Sequence, residues 1–244
     1  MSAAVVDSPS DLFSPSSAPV YPSYKSLDEY IDLDALRALD AFLIERIEHH
    51  IAAEKDDFFL NQHRLDADTP YQPGVREIWL SRTLPGTPYD YLDLDKPELW
   101  QRTPAAEEFA PLMAFVDILP FKATGRILII YDNGGNEVPA HRDHLDAELC
   151  HEFIWLRTNF NKSLYMLDPE SGDRLHVKSY SAWFDSVNQF HGADASKGLS
   201  FSIRVDGIFS ETLRSKIPFP ATNRSAAPSI WAVCDPATQT NVRT

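Results

Sequence analysis

The sequence predicts a mainly β protein, in which short strands form a jelly-roll barrel and helices near the amino terminus brace it. Short apolar runs separated by turn residues fill residues 122–210, whereas helical spacing of apolar residues occurs before them. The segments 132–135 (Asp-Asn-Gly-Gly) and 169–172 (Pro-Glu-Ser-Gly) supply turn chemistry between the runs. Many short strands after amino-terminal helices are typical of a jelly roll with helices packed on one sheet.

Two helices are expected before the barrel. Residues 26–29 have the form of a capping box, and apolar residues then recur at helical spacing: Leu36, Leu39, Leu43, Ile47 and Ile51. Pro104 begins the second helix, with a buried stripe made of Phe109, Leu112, Met113 and Val116. The segment 57–96 is rich in proline and aromatic residues and is expected to form loops and strands, with 75–82 as its best strand.

Six strands are expected in the barrel: 126–131, 152–158, 163–167, 174–178, 181–190 and 199–209. In the last of them, the alternation of an extended strand separates two faces. One face carries Ser200, Ser202, Arg204 and Asp206, and the other carries Phe201, Ile203 and Val205. A buried arginine on a polar face needs an anionic partner, which is either a bound carboxylate or a carboxylate of the barrel itself.

The most informative motif lies at residues 139–144, Pro-Ala-His-Arg-Asp-His. His141 and Asp143 are two residues apart, so an extended backbone directs both side chains to the same side, where they can bind one cation. His191, far downstream, can complete a set of three ligands. Two histidines and one carboxylate leave octahedral positions open and suit a non-haem Fe(II) centre that binds a co-substrate and dioxygen together.

The order His-x-Asp, His, Arg between residues 126 and 209 resembles that of the Fe(II)- and 2-oxoglutarate-dependent oxygenases. The resemblance implies a double-stranded β-helix, the cupin-like form of the jelly roll. It also implies that His141, Asp143 and His191 are the catalytic ligands of Fe(II), and that Arg204 binds the co-substrate 2-oxoglutarate. With O₂, such an enzyme hydroxylates or desaturates an unactivated C–H bond and releases succinate and CO₂.

The chain departs from many members of that superfamily next to the arginine. A serine two residues after the arginine is common there, whereas this chain has Asp206 and places Ser202 two residues before the arginine. The second contact to 2-oxoglutarate therefore stays open. We predict Ser202 and Tyr131 as further cofactor-binding residues, with Tyr165 and Asn159 as alternatives.

Other residues are candidates for binding the substrate. Arg157 lies on an expected strand between the metal ligands and is similar to a feature of the aspartyl/asparaginyl β-hydroxylase branch, which lacks the carboxylate ligand. We predict that Arg157 and Asn159 bind the substrate, with a surface charge pair as the alternative for Arg157. His144 and His151 flank the metal motif at unsuitable parity or spacing, so loop or supporting positions are expected for them.

Composition bounds the organisation of the chain. One catalytic domain is expected at 24–210, with a helical and loop part at 24–121 and a β core at 122–210. Residues 1–23, rich in serine, proline and alanine, are expected to form a flexible tail, and 211–244 an extension that is a lid or disordered. The net charge of −14 argues against a nucleic-acid partner, and no apolar run is long enough for a membrane span. Two cysteines without paired spacing favour a reducing cytoplasm.

The sequence thus predicts a dioxygenase acting on a small molecule, such as an amino acid or a specialised metabolite. Three alternatives are a protein or peptide hydroxylase of the same superfamily, a cupin-like enzyme using another divalent metal such as zinc or manganese, and a non-catalytic binding barrel. Arg204 favours the oxygenase, because the other two kinds of barrel have no known need for an arginine at this position. The oligomeric state stays open.

Overall fold

The structure is a computed structural model that describes residues 24–53, 75–87, 96–143 and 151–217. The expected tail at 1–23, most of the expected carboxy-terminal extension and much of the expected loop region 57–96 lie outside these residues. The same holds for three single residues of the sequence analysis: His144, Cys150 and Cys234. No helix within the described ranges combines the length and the apolar character that crossing a membrane requires.

The first expected helix is two helices, α1 (Leu33–Ala38) and α2 (Asp40–Ala52). Helix α1 starts after Asp32, whose side chain accepts a hydrogen bond from the Ala35 amide at 2.9 Å. The predicted capping box at 26–29 is therefore wrong. Those residues form strand β1 (Lys25–Ser26) and a 3₁₀ turn (Asp28–Tyr30). The Asp28 carboxylate accepts hydrogen bonds from Tyr180 and Ser181 instead of capping a helix.

The second expected helix is also divided, into α3 (Pro104–Glu108) and α4 (Ala110–Val116). Pro111 stands in the first turn of α4, where a missing amide proton costs little, so a new helix begins there. The predicted stripe is buried at all four positions: Phe109, Leu112, Met113 and Val116. Phe109 packs edge-on against Phe42 of α2, at 6.4 Å between ring centroids.

Eleven further strands follow β1 among the described residues: β2 (Arg76–Trp79), β3 (Ser81–Thr83), β4 (Trp100–Arg102), β5 (Phe121–Asp132), β6 (Val138–His141), β7 (Phe153–Leu156), β8 (Leu164–Leu167), β9 (Arg174–His176), β10 (Ser181–Trp183), β11 (His191–Ala193) and β12 (Ser200–Phe209). A short helix, α5 (Glu211–Arg214), ends the described chain. The best predicted strand of the loop region, 75–82, is thus divided between β2 and β3.

The strands form two main antiparallel sheets. The larger sheet has the order β1-β10-β7-β12-β5-β2 and the smaller one β6-β11-β8-β9, while β3 and β4 pair separately. From β5 onward the chain alternates between them, because β5, β7, β10 and β12 belong to the larger sheet and the strands between them to the smaller. This is the connectivity of a jelly roll. The predicted fold class, mainly β with flanking helices, is confirmed.

The two faces of the larger sheet differ as the sequence predicts. Phe201 of β12 is the register partner of Tyr131 of β5, and the Tyr131 ring meets His50 of α2 edge-on. Directly paired residues share a face, so this face is covered by the helices and forms the main core. The polar side chains of β12, including Arg204, occupy the opposite face. That face looks toward the smaller sheet, because Arg204 contacts Asp143 beyond β6.

Two strand predictions need correction. The expected strand 181–190 is extended only at β10, and the residues after it turn around Asp185, whose carboxylate accepts hydrogen bonds from the Asn188 amide and side chain. Strand β6 was not among the six strands expected in the barrel, although an extended backbone was expected at His141 and Asp143. Its four residues include Pro139, which cannot donate to a ladder and therefore suits the edge position that β6 has in the smaller sheet.

Candidate metal centre

The three predicted metal ligands come together at the ends of two neighbouring strands. His141 is the last residue of β6, Asp143 follows two residues later, and His191 is the first residue of β11. His141 and His191 are register partners, with ring centroids 4.4 Å apart. The Asp143 amide donates to the Ser186 carbonyl at 2.7 Å, which fixes the chain directly after β6. The grouping agrees with the oxygenase resemblance stated above.

The spacing of the donor atoms suits a single ion. The Nε2 atoms of His141 and His191 lie 3.9 and 3.6 Å from the same Oδ1 of Asp143, and one donor atom from each residue lies within 4.8 Å of the other two. Two atoms bound to one ion at about 2.1 Å cannot be more than about 4.2 Å apart. Both measured distances satisfy this limit, so little movement is needed for these residues to bind a divalent cation.

The backbone orients both imidazole rings. Nδ1 of His141 lies 2.8 Å from the Pro139 carbonyl, and Nδ1 of His191 lies 3.1 Å from the Gln189 carbonyl. A carbonyl oxygen only accepts, so Nδ1 carries the proton in each ring. The unprotonated Nε2 then presents its lone pair to the space beside Asp143. Metal-binding histidines are commonly oriented in this way.

Charges around the three residues favour the forms that bind metal. Burial, and then the charge of His191, lower the pKa of His141 to about 4, so its ring is neutral at neutral pH. Burial acts to raise the pKa of Asp143, but Arg204 and the two histidines outweigh it and hold this pKa well below its usual range. Asp143 is therefore a carboxylate. Neutral imidazole and ionised carboxylate are the forms that coordinate a metal.

Arg204 contacts the metal centre directly. Its Nη1 donates to Oδ2 of Asp143 at 2.9 Å, and its Nε donates to Oδ1 of Asp206 at 3.0 Å. The guanidinium lies over the Phe153 ring, 4.1 Å from its centroid. The anionic partners here are thus carboxylates of the protein, the alternative that the sequence left open. Two of the three guanidinium nitrogens, Nε and Nη1, are therefore already bonded to protein carboxylates. The third, Nη2, is buried and has no hydrogen-bond partner among the described residues.

The departure at Asp206 has a structural explanation. Asp206 is completely buried and accepts from Arg204 through Oδ1 and from Nε of Arg126 through Oδ2, each at 3.0 Å. One carboxylate thereby compensates two buried guanidinium groups. A serine at this position would leave both arginines without that charge. The sequence analysis missed Arg126, which precedes an apolar run and could have been noticed as a charge at the start of a core strand.

The two further cofactor-binding predictions have different outcomes. Ser202 lies on the inner face of β12 with Arg204 and is buried, so its position is compatible with the prediction. Tyr131 is on the helix-covered face, in contact with His50. This position leaves the prediction for Tyr131 without support, because the sheet lies between its side chain and the metal centre. The alternative Tyr165 lies on β8, where it is paired with Gly192 of β11. Its hydroxyl reaches across β11 to the Val138 carbonyl of β6, at 3.5 Å.

The two predicted substrate-binding residues also have structural contacts. Arg157 is 1% exposed and donates to three backbone carbonyls, those of Ser179, Lys162 and Val177. This arrangement ties the loop between β7 and β8 to the segment between β9 and β10, and it leaves the proposed substrate contact without support. The Asn159 side chain donates to Asp40, at the first turn of α2, at 2.6 Å. Both residues follow the end of β7 that points away from His151.

His151 lies beside the metal centre without belonging to the ligand group, a position compatible with the supporting role expected for it. It is 3% exposed, and its ring is near enough to Asp206, Arg204 and Asp143 for their charges to affect it. The parity of β7 could have revealed this, because His151 is two residues before Phe153, which is paired with Asp206 on the inner face. Burial lowers the pKa of His151 to about 4, and its ring is neutral at neutral pH.

Comparisons with known proteins concern the fold. No protein-family model and no curated protein match the chain. Similar solved structures include a Pseudomonas putida prolyl-4-hydroxylase, 12% identical with a TM-score of 0.42, over 75% of this chain and 90% of that one. A Trichoplax adhaerens prolyl hydroxylase bound to a hypoxia-inducible-factor peptide fragment is 11% identical with a TM-score of 0.34, over 69% and 96% of the two chains.

A third similar structure is a viral collagen prolyl hydroxylase of Paramecium Bursaria Chlorella virus-1 in a 2-oxoglutarate complex. It is 9% identical with a TM-score of 0.34, over 77% of this chain and 97% of that one. All three proteins are named as prolyl hydroxylases. Their TM-scores lie below 0.5, so function has to be inferred from the site itself.

Proposed function

We propose that the protein is an Fe(II)- and 2-oxoglutarate-dependent oxygenase that hydroxylates or desaturates an unactivated C–H bond. The observation that carries the proposal is the grouping of His141, Asp143 and His191 beside the buried Arg204. Two imidazoles and one carboxylate are the ligand set of non-haem Fe(II) oxygenases and leave positions for a co-substrate and O₂. The catalytic domain is proposed to comprise residues 24–210.

The charges of the centre support a dianionic co-substrate. Asp143 and Asp206 are compensated by Arg126 and Arg204, with which they form direct contacts. Histidines that coordinate a metal do so as neutral imidazoles and add no charge. A divalent cation therefore leaves the pocket with two uncompensated positive charges, and the two carboxylates of 2-oxoglutarate restore neutrality. Burying a balanced set of charges costs much less than burying an excess of one sign.

Each residue has a distinct part in this proposal. Fe(II) with 2-oxoglutarate bound would activate O₂, and O₂ would be the oxidant that reaction at an unactivated C–H bond requires. His141 and His191 each donate a hydrogen bond from Nδ1 to a backbone carbonyl, which would hold Nε2 toward the metal. Asp143 contributes the negative charge through Oδ1, while Arg204 holds Oδ2 and keeps the carboxylate in place. Phe153 covers the guanidinium and excludes water from it.

Arg204 is proposed to contact 2-oxoglutarate as well, through Nη2, which has no hydrogen-bond partner among the described residues. Nη2 can donate a charge-assisted hydrogen bond to a carboxylate oxygen. Ser202, two residues before it on the same face, is proposed as a neighbouring hydroxyl contact. This differs from the complete fork expected from the sequence, because Asp143 and Asp206 already occupy the other two donor groups.

The substrate is proposed to be a small molecule, such as an amino acid or a specialised metabolite, and a protein or peptide is the competing possibility. The solved structures similar to this chain include enzymes named as prolyl hydroxylases, so peptides belong in the screen. Metabolite pools and proline-containing peptides would be incubated separately with Fe(II), 2-oxoglutarate and O₂. A mass gain of one oxygen that requires 2-oxoglutarate identifies the substrate class.

An anaerobic titration tests the cofactor assignment. Fe(II) and 2-oxoglutarate together should produce a weak charge-transfer band in the visible, whereas Fe(II) alone or Zn(II) with 2-oxoglutarate should not. The band should be absent from His191→Ala. If the wild-type protein binds Fe(II) by calorimetry and 2-oxoglutarate gives no band, the oxygenase assignment is wrong. A cupin-like enzyme of another metal or a binding barrel would then be the better description.

A further inference from the structure

His151 extends the inner face of β7 beyond the ordered strand. Its carbonyl accepts from Nε1 of Trp183 at 3.0 Å, and the Glu152 carbonyl accepts from the Gly207 amide, so this stretch remains paired on both sides. Phe153 is paired with Asp206 on the inner face. Two residues earlier, the His151 side chain has the same parity and projects into the same space.

Three buried nitrogen atoms in this space have no hydrogen-bond partner among the described residues. They are Nδ1 and Nε2 of His151 and Nη2 of Arg204. Their residues are 3% and 8% exposed, respectively. Buried polar groups in folded proteins are nearly always paired, because an unpaired one loses its hydrogen bonds to water without replacement. A structural histidine normally has at least one ring nitrogen bonded, so His151 is not explained as a core residue.

The two side chains approach the same region from neighbouring strands. The guanidinium of Arg204 leans along its strand toward Asp206 and lies over Phe153, two residues from His151. The charges of Arg204 and Asp206 both act on the His151 ring. His151 is nonetheless outside the group of donor atoms that could share one metal ion. Its free nitrogens are therefore available to a ligand other than the metal.

We propose that His151 and Nη2 of Arg204 together form a carboxylate-binding subsite beside the metal centre. The inference rests on the proposed function and deepens it. A carboxylate has two oxygens, one for the N–H of Arg204 and one for the single N–H of a neutral imidazole. The carboxylate comes from the far end of 2-oxoglutarate, from its metal-binding end, or from the substrate. The subsite also explains how one spare arginine donor is supplemented when the rest of the fork is occupied.

Nitrogen NMR of the full chain loaded with diamagnetic Zn(II) tests the subsite. The His151 ring signals are those missing from His151→Gln. A shift with 2-oxoglutarate but not with 2-oxopentanoate assigns the far carboxylate, and a shift with both assigns the metal-binding carboxylate. A shift only when acetate is added to the protein saturated with 2-oxoglutarate assigns the substrate carboxylate. If none of these acids moves the signals at saturation, the subsite does not exist.

Calorimetry on matched variants gives a second measurement. His151→Phe keeps a planar ring but loses both nitrogens. Its affinity for the acid that shifts the His151 signals should be lower by about tenfold or more. His151→Gln keeps a donor and an acceptor and should lose less. His176→Gln, an exposed histidine on the smaller sheet, is the control and should bind normally. Equal affinities for His151→Phe and the control would overturn the proposal.

The test separates the subsite from the proposed function. Glutarate lacks the 2-oxo group and needs no metal, so it can be titrated into the metal-free protein with the same two measurements. A protein that binds glutarate at His151 but neither Fe(II) nor Zn(II) would refute the oxygenase and retain the subsite. A protein that gives the Fe(II) charge-transfer band while its His151 signals stay unchanged with every acid would refute the subsite alone.

Discussion

His141 and His191 face each other across the pairing of β6 with β11, and both direct Nε2 to within 3.9 Å of one Asp143 oxygen. The pairing matters because a strand ladder fixes the separation of register partners more tightly than a loop would. Asp143 is held to this pair by its backbone contact with Ser186 and by Arg204. The centre is therefore largely assembled before any metal binds.

Replacing either histidine should remove the metal and leave the fold. His141→Ala and His191→Ala each leave two ligands, and their affinity for Fe(II) should fall by about a hundredfold or more. Melting curves should stay near those of the wild type for His141→Ala, whose side chain is 24% exposed. His191→Ala should be somewhat less stable, because it also loses a buried ring that packs on Phe184. His176→Ala is the matched control. Near-normal iron content with 2-oxoglutarate-dependent turnover in either variant would contradict the ligand assignment.

The charge and the coordination by Asp143 can be separated. Asp143→Asn keeps an oxygen for Arg204 but loses the negative charge, so metal binding should weaken about tenfold or more at neutral pH. Asp143→Gly also opens a coordination position and should abolish hydroxylation. Asp194→Asn, on the outer side of the smaller sheet, is the control for loss of one carboxylate charge. Undiminished product formation by Asp143→Gly would show that another carboxylate is the metal ligand. Asp146, which lies outside the described residues, would be the first to test.

Arg204 substitutions should affect 2-oxoglutarate more than they affect the substrate. Arg204→Lys keeps the charge but cannot reach Asp143, Asp206 and a ligand together, so the apparent KM for 2-oxoglutarate should rise about tenfold. Arg204→Ala should raise it about a hundredfold and should also weaken metal binding, because Asp143 loses its partner.

Arg174→Ala removes an exposed arginine that is paired with Glu137 and Asp194 and serves as the control. Steady-state kinetics over a 2-oxoglutarate series, together with Fe(II) calorimetry, distinguish the two effects of Arg204. An unchanged KM in Arg204→Ala would remove this residue from the co-substrate site. It would then act on Asp143 alone.

The stability of the metal-free protein should depend on pH through two histidines. Unfolded histidine binds a proton near pH 6.5, whereas folded His141 and His151 do so only near pH 4. Between these values the unfolded state holds more protons, so the free energy of unfolding should rise with pH from about 4 to about 6.5 and should gain nothing further from these groups above that.

Urea unfolding at a series of pH values measures this dependence. The double variant His141→Gln, His151→Gln should show a flatter rise, because glutamine does not titrate. His49→Gln, an exposed residue near the end of α2, controls for loss of a histidine in general. A wild-type stability that falls as pH rises through this range would contradict the predicted sign.

Gly192 should prove necessary next to His191. A Cβ at this position would lie 2.5 Å from the Tyr165 hydroxyl and 2.6 Å from the Val138 carbonyl, on the strands that flank β11. Gly192→Ala must therefore displace β11. We expect it to destabilise the fold by about 1–3 kcal/mol and to weaken metal binding. Unchanged affinity and unchanged melting would show that β11 accommodates a side chain without moving His191.

The sequence was a good guide where its local pattern had one physical explanation. The alternation in β12 predicted which side chains face the interior, and the parity of His141 and Asp143 placed both on one side. The helices covering the larger sheet followed from their buried stripes. These features depend on strand and helix periodicity, which is encoded within a few residues.

Features that depend on contacts between distant segments could not be predicted. Tyr131 has the chemistry of a cofactor ligand but belongs to the wrong face, a fact that depends on its pairing with Phe201. Arg157 could bind an anion by its chemistry, but its guanidinium donates to backbone carbonyls of the segment between β9 and β10 instead. Parity could place His151 on the inner face of β7, but its closeness to Arg204 depends on the pairing of β7 with β12.

Strand β6 has a partner on one side only within the described part of the smaller sheet, and the centre is built at its end. A metal held jointly by His141 and His191 would act as a staple between this border strand and β11. Iron occupancy would then protect the backbone as well as enable chemistry. The amides of β6 should exchange with deuterium faster after chelation, and a protein stripped of metal should be more prone to edge-to-edge aggregation.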